Sequence, residues 1–259
     1  MQKHTLLILA LTLSALAHEN EFTFGLSSMS MHYTEFDLDG SFVDSEKTNA
    51  LAGLNLNYST RISDGLDGEG GLFDMDFSLY QGNTRYDGFY VDRYGNITGL
   101  ANNKTTKNII TDSSIGYSET MRLDQVLWFA RIGIGYRFWE RELEGGHIED
   151  YKWSYGSLST GISGNLFTND NIGISAEYHR AFSPKMESNM FGTFDLGRTD
   201  GYSISVPWVH TISPSWALKF DYTYQIWNIE HSTIHSDNRY EPRSESSFNT
   251  FNAALVYRY

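Results

Sequence analysis

The 259-residue sequence contains no cysteine, which excludes disulfides, thiolate metal sites and cysteine nucleophiles together. Long apolar runs are missing too. Beyond residue 17 the chain has no apolar stretch of the roughly eighteen residues that a membrane-spanning helix needs. Cations are scarce: 19 Lys and Arg stand against 32 Asp and Glu, for a net charge of −13. Nucleic acid is therefore excluded as a partner, because binding a phosphate backbone depends on Lys and Arg. Catalytic signatures are thin, with neither H-E-x-x-H nor G-x-S-x-G in the chain. No cofactor and no metal are expected.

What is present begins with "MQKHTLLILALTLSALAHE". Lys3 supplies a charged start, Leu6 to Ala17 is a short apolar run, and Ala15-Leu16-Ala17 forms an A-x-A cleavage pattern. Residues 1–17 read as a secretory signal peptide, too short to span a bilayer. A buried first helix is the rival reading. Cleavage removes Lys3 and no acid, which takes the net charge from −13 to −14. With no Cys after the cleavage site, a lipoprotein anchor is excluded. Residues 18–259 are then one exported domain that owes nothing to disulfides.

Aromatic residues make up 15% of the chain, and they recur with period 2 rather than 3.6. "VLWFARIGIGYRFW" sets Trp128, Ala130, Ile132, Ile134, Tyr136 and Phe138 on one face, and Phe129, Arg131, Gly133, Gly135, Arg137 and Trp139 on the other. "ALKFDYTYQIW" and "LFDMDFSLYQG" divide in the same way. Ten such segments are recognisable: 21–36, 49–59, 72–84, 108–120, 126–139, 150–165, 172–181, 201–210, 216–228 and 247–259. A phase change near Gly156 predicts a bulge, and Pro207, which lacks a donor, predicts a local irregularity. Tight connections ("RLDQ", "TNDN", "ISPS") follow the fourth, sixth and eighth segments. Long polar ones, such as "RYDGFYVDRYGNITGLANNKTTK", follow the first, third, fifth, seventh and ninth segments.

An up-and-down meander of this kind gathers its long loops at one end, as outer-membrane barrels do. The face opposite the aromatics carries Gly, Ser, Asp and Arg, a poor filling for a soluble core but a good one for a polar lumen. The fold class is therefore all-β, a ten-stranded antiparallel up-and-down transmembrane β-barrel, with 8–12 strands as the range. A secreted β-sandwich is the rival and leaves the loop asymmetry unexplained. The location follows: the outer membrane of a Gram-negative cell.

The lumen-facing charges form the most concrete constellation: Asp74, Asp76, Asp112, Arg131, Arg137, Glu177, His179, Lys219 and Asp221. Cross-pairing that fills a narrow bore is favoured over an ion path, since so few strands leave little open space. His231 and His235, with Glu230 and Asp237 nearby, read as a solvated loop rather than a metal site. "DLDGSFVDSE" reads as a turn at Asp39-Gly40 rather than a calcium loop. The closing "FNAALVYRY" puts Phe251, Ala253, Leu255 and Tyr257 toward lipid and Tyr259 at the periplasmic girdle. Phe251, Leu255, Tyr257 and Tyr259 then form an assembly signal, and the segment pairs with the first strand so that no edge is left in lipid.

From about Asn108 onward, "IGIGYRFWERE", "YKWSYGSLSTGISG", "NIGISAEYHRAFS", "YSISVPWVHTISPSWALKFDYTYQIWNI" and "FNTFNAALVYRY" resemble the omptin family of outer-membrane proteases. The resemblance implies a ten-stranded barrel and a surface site with an Asp pair, one beside Trp-Met, facing an Asp–His pair. Here the loop after the third segment offers Asp87 and Asp92 without Asp-Trp-Met, and "SPKMESNMFG" puts Glu187-Ser188-Asn189 where Asp-x-His is needed. The expectation is an omptin-like barrel without omptin chemistry. Its role is in envelope structure or surface interaction, and its partners are outer-membrane lipid, lipopolysaccharide, the barrel-assembly machinery and an extracellular ligand at the loops. Two alternatives stand beside it: a protease using Asp87, Asp92, Glu187 and a loop His, and a small porin with a narrow charged lumen. Porins and opacity-type adhesins resemble the chain at the same general level.

Overall fold

The computed structural model describes residues 20–63, 69–91, 97–236 and 239–259. The expected signal peptide, Asp92 and Asp237 lie outside the described residues. The elements in chain order are β1 (Asn20–Phe36), β2 (Phe42–Arg61), β3 (Gly70–Val91), β4 (Ile97–Leu123), β5 (Val126–Leu143), β6 (His147–Phe167), β7 (Asp170–Ser188), β8 (Gly192–Asp195), β9 (Thr199–Ser213), β10 (Trp216–Ile229) and β11 (Arg243–Arg258). Neighbours pair antiparallel throughout, β6 with β7 and β1 with β11, so ten strands close a ring, and the short β8 pairs with the upper end of β7 on the edge that β9 takes lower down. At the seam the Asn20 and Tyr259 backbones exchange two hydrogen bonds, at 3.1 and 3.0 Å.

The tight turns fall where the sequence puts them: Leu123 pairs with Val126, Phe167 with Asp170, and Ser213 with Trp216. The opposite end differs from expectation. Much of the chain read as loop after the third and fifth segments is strand. β4 runs for 27 residues, well over twice the roughly ten needed to cross a bilayer. β5 and β6 continue until Glu144, Gly145 and Gly146 turn the chain, the two glycines at φ of +100° and +81°, where a side chain would be strained. The barrel wall thus rises far beyond its apolar band.

Of two local expectations, the bulge is corrected in position and the irregularity at Pro207 is present. β6 keeps one phase through Gly156 against β5; the bulge sits in β7, where Ser183 (φ +47°) and Pro184 together face Trp153. Pro207 leaves the β9–β10 register intact, while the β7–β9 pairing stops at Ile172–Trp208 and resumes at Ser175–Ser205. A missing donor on β9 interrupts one ladder without bending the strand.

The inward and outward chemistries exchange places partway up the wall. Low on β1, Phe22, Phe24 and Leu26 point outward over Thr23, Gly25 and Ser27. Higher up, Ser28, Ser30 and His32 point outward over the buried Met29, Met31 and Tyr33. β5 passes from outward Ile134, Tyr136 and Phe138 to outward Glu140 and Glu142, and inside from Gly133 and Gly135 to Trp139. β10 and β11 do the same, with Trp227 and Phe248 among the first buried apolar side chains of the upper half. The lower half is apolar outside and polar inside; the upper half turns polar side chains outward and buries large apolar ones, as a water-soluble barrel does.

Candidate functional site

The interior is divided into three levels, and the charged residues picked from the sequence occupy the lowest. Arg131 is its hub, with Nη2 2.5 Å from Asp74 Oδ1 and 3.6 Å from Asp76, and Nη1 3.3 Å from Glu177. Gly116 on β4 makes this approach possible, since a Cβ there would lie 2.4 Å from Arg131 Cζ. Arg137 donates to Asp112 at 3.1 Å and to Gln225 at 3.0 Å, and the Tyr155 hydroxyl donates to the same Asp112. His179 lies stacked on Trp227 with ring centroids 5.3 Å apart. Lys219 and Asp221 on β10 face the same space, a chamber of about 460 Å³ otherwise lined largely by Ser, Thr and Asn side chains. The two arginines are cross-linked to Asp74, Asp76, Glu177 and Asp112, as buried charges require, and the chamber stays open between them and β10.

Above this chamber an aromatic layer crosses the barrel. Trp153, Trp227 and Tyr155 pack at centroid distances of 5.2 and 5.8 Å, and Trp139 packs on Tyr33, Tyr151 and Phe248 at 5.1, 5.4 and 6.3 Å. Gly201 lets Trp227 lie across β9: a Cβ there would sit 2.8 Å from the indole. A guanidinium closes each side. Arg137 stands 4.8 Å from the Phe248 ring, and Arg141 stands 4.3 Å from the Tyr33 ring.

The upper level was not singled out in the sequence, and it holds the densest chemistry. Arg141 grips Glu46 through Nε and Nη2 at 2.9 and 2.7 Å, and through Nη1 it reaches Glu149 at 2.7 Å and Glu35 at 3.1 Å. Glu46 is fixed further by Thr84 Oγ1 at 2.6 Å and Asn108 Nδ2 at 3.1 Å, and Trp139 Nε1 steadies Asn108 at 2.6 Å. Glu35 accepts from the Tyr33 hydroxyl, and Glu241, on the chain between β10 and β11, accepts from the Tyr151 hydroxyl. Asp44 stands 4.0 Å from Arg141 Nη2, and its Oδ1 is buried without a hydrogen-bond partner. Five carboxylates (Glu35, Asp44, Glu46, Glu149 and Glu241) are thus buried with a single buried guanidinium.

Of these, Glu35, Asp44, Glu149 and Glu241 floor a cavity of about 620 Å³ near the upper rim, walled by Phe42, Phe89, Leu143, Met186, Phe191 and Phe194. Arg239 and Tyr240 stand on its edge; Tyr240 donates to Asp37, and Arg239 to the Phe191 carbonyl at 3.2 Å. Burial and then the charge of Glu35 push the Asp44 carboxyl well above the usual carboxylate range. Burial, with Glu35 and Glu149 nearby, does the same to Glu241. Burial also raises Glu35 and Glu149, against the opposing pull of Arg141. His147, whose Nε2 lies 2.9 Å from Ser188 Oγ and 3.6 Å from Glu149, is pushed down to about 4 by burial and by Arg141. Such an arrangement favours a positive charge entering from the open end.

Among the described residues, those of the rearranged protease site do not come together. Asp87 lies on the outward side of β3, bound by Arg85 at 2.9 Å and by the Asn103 amide at 2.7 Å, and Glu187 pairs with Lys152 at 2.5 Å. His231 turns to the Ser232 carbonyl, while His235 packs on Phe194. Among the described residues no group of three or more His, Asp or Glu is arranged to hold a metal ion. The turn at Asp39-Gly40 is present, with the Asp37 and Gly40 amides donating to Ser41 and Asp37 at 2.9 Å each.

No protein-family model and no curated protein matches the chain by sequence. Solved structures do match. The outer membrane protease OmpT from Escherichia coli overlays with a TM-score of 0.58 at 11% identity, over 93% of this chain and 96% of that one. The toluene transporter TodX from P. putida overlays at 0.36 and 12% identity, over 95% and 91%. Ail, the attachment invasion locus protein of Yersinia pestis, overlays at 0.34 and 11%, over 93% and 98%. The fold is that of an omptin-like outer-membrane β-barrel.

Proposed function

We propose that the protein is an outer-membrane barrel that binds, from outside the cell, a guanidinium or ammonium group carried on an amphipathic molecule, and does not cleave it. The observation that carries the reading is the excess of buried carboxylate over guanidinium at the floor of the apolar-walled upper cavity. A second cation relieves that excess, and the aromatic wall receives the apolar part that accompanies it. The cross-links of Arg131 and Arg137 in the lower chamber, with the aromatic layer above them, support binding over transport. Agmatine titrated into refolded protein should give saturable heat that weakens by about tenfold or more in Asp44→Asn. An Asp44→Asn variant that binds as tightly as the parent would remove the site from consideration.

One observation favours a hydrolytic reading as a second choice: His147 stands beside Glu149 in the same cavity. Cleavage of a basic peptide by the refolded protein, lost in His147→Ala, would replace binding with hydrolysis.

Lipid and lipopolysaccharide are the proposed partners of the outward band. The barrel-assembly machinery is the proposed partner of the outward-facing, exposed Phe251, Leu255 and Tyr257 and of the exposed Tyr259. Replacing Tyr257 and Tyr259 with Ser should lower the amount of assembled barrel in outer-membrane fractions while leaving refolding in detergent unchanged.

A further inference from the structure

Four side chains cross the upper barrel in an unbroken series of hydrogen-bond contacts. The Tyr33 hydroxyl meets Glu35, the Tyr151 hydroxyl meets Glu241, and the two hydroxyls lie 3.2 Å from each other. Each contact needs one proton between its oxygens, so three contacts need three protons. The tyrosines supply two. If both carboxylates are ionised, each hydroxyl points its proton at its own acid, and the Tyr33–Tyr151 contact has no donor. Arg141 Nη1 stands 3.3 Å from both hydroxyls, but it brings them a donor to accept from and leaves the proton between them unfilled.

We infer that one carboxyl of the Glu35–Tyr33–Tyr151–Glu241 series carries a proton at neutral pH, and that a cation entering the cavity displaces it. This rests on the cation-binding reading above and names how that site is regulated. A protonated Glu35 or Glu241 donates to its tyrosine, which frees that hydroxyl to donate to the other and completes the series. The surroundings favour the same count. Facing the four are Arg141 from β5, Asp44 and Glu46 from β2, Tyr86 from β3, His147 and Glu149 from β6, and Arg239 and Tyr240 from the chain before β11. Arg141 is already divided among Glu35, Glu46 and Glu149, so Glu241 and Asp44 share little of its charge. Burial raises all four of Glu35, Asp44, Glu149 and Glu241, in line with a retained proton. The exchange balances: one cation enters, one carboxyl O–H breaks, and its proton leaves to solvent.

Infrared spectroscopy of the full chain refolded in detergent reads the proton directly. A protonated-carboxyl C=O band should be present at pH 7 and weaken by one carboxyl in both Glu35→Gln and Glu241→Gln, because the Gln amide supplies the missing donor. Glu187→Gln, on the outer wall, should leave it unchanged. No such band in the parent, or a band indifferent to both variants, overturns the retained proton. Agmatine titrations in phosphate and in Tris should differ in heat by the buffers' ionisation of one proton per cation, and apparent affinity should fall about tenfold per pH unit on acidification. Buffer-independent heat with the band present overturns the exchange alone. If agmatine gives no heat while the band is present, the proton stands and the cation reading falls, and the exchange falls with it.

Discussion

The hydroxyl oxygens of Tyr33 and Tyr151 lie 3.2 Å apart although 118 residues separate them in the chain. Their strands, β1 and β6, stand opposite one another in a ring of ten. The contact is therefore a crossbeam through the barrel rather than a rung between neighbours, and it carries the carboxylates on either side.

Removing one end of that beam leaves Glu241 buried without its donor. Tyr151→Phe should destabilise the barrel by about 1–3 kcal/mol. Tyr33→Phe should do likewise, and the double variant should fall short of the sum because the two share one network. Urea unfolding in detergent micelles checks this; strict additivity would mean the hydroxyls act independently.

Arg141→Met strands Glu35, Glu46 and Glu149 together. A loss of about 3–5 kcal/mol is expected at pH 8, because breaking a buried pair leaves its partners uncompensated. The loss should shrink at pH 5, where protons replace the guanidinium. Equal losses at the two pH values would contradict that account.

The raised carboxyls fix the sign of one pH dependence. Folded Glu35, Asp44, Glu149 and Glu241 hold protons more tightly than in the unfolded chain, so their contribution is full below the ordinary carboxylate range and fades as pH rises through the raised values. His147 acts oppositely. With a folded value of about 4 against 6.5, its contribution is full above 6.5 and is lost as pH falls toward 4. Thermal midpoints of Asp44→Asn should exceed the parent's at pH 8 and converge with it on acidification, while His147→Gln should lift only the acidic side. A parent that melts lower than Asp44→Asn at every pH by the same amount would point to packing instead.

Planar-bilayer recordings test the seal. The parent should show no stepwise current, whereas Trp227→Ala, which removes a ring packed on His179 and Trp153, should join the two chambers and conduct. Steady currents from the parent would restore the porin reading.

How much of this was legible in the sequence depends on where along each strand one looks. Between Trp128 and Phe138 the outward residues are apolar and the inward ones small or charged, a pattern that assigns both faces without a structure. Two residues past Trp139, Arg141 continues the inward face of Arg131 and Arg137, yet Glu140 and Glu142 outside it read as a loop. Alternation persisted while the chemistry on its two faces changed places, so a rule that expects the apolar side to point outward cut β3, β4, β5, β6 and β7 short at their upper ends. Tyr33, Glu35, Glu149 and Glu241 come from distant parts of the chain and meet only because the ring closes, which no local spacing announces. Ser183 and Pro184 show the smaller version: the bulge was legible as a disturbance near β6, but the strand that bears it is β7.

The exchange of faces also sets the draught at which the barrel floats. Sinking it by two residues along β1 or β5 would drag Ser28 or Glu140 into hydrocarbon, and lifting it by as much would bare Phe22 to water. Each such step is about 6–7 Å of strand, far more than a bilayer absorbs without penalty by thinning or tilting. Immersion depth is therefore pinned from both directions, and the cavity around Asp44 and Glu241 is held at a constant height above the lipid, like a crow's nest on a moored hull. A visitor from the medium reaches it without touching the membrane.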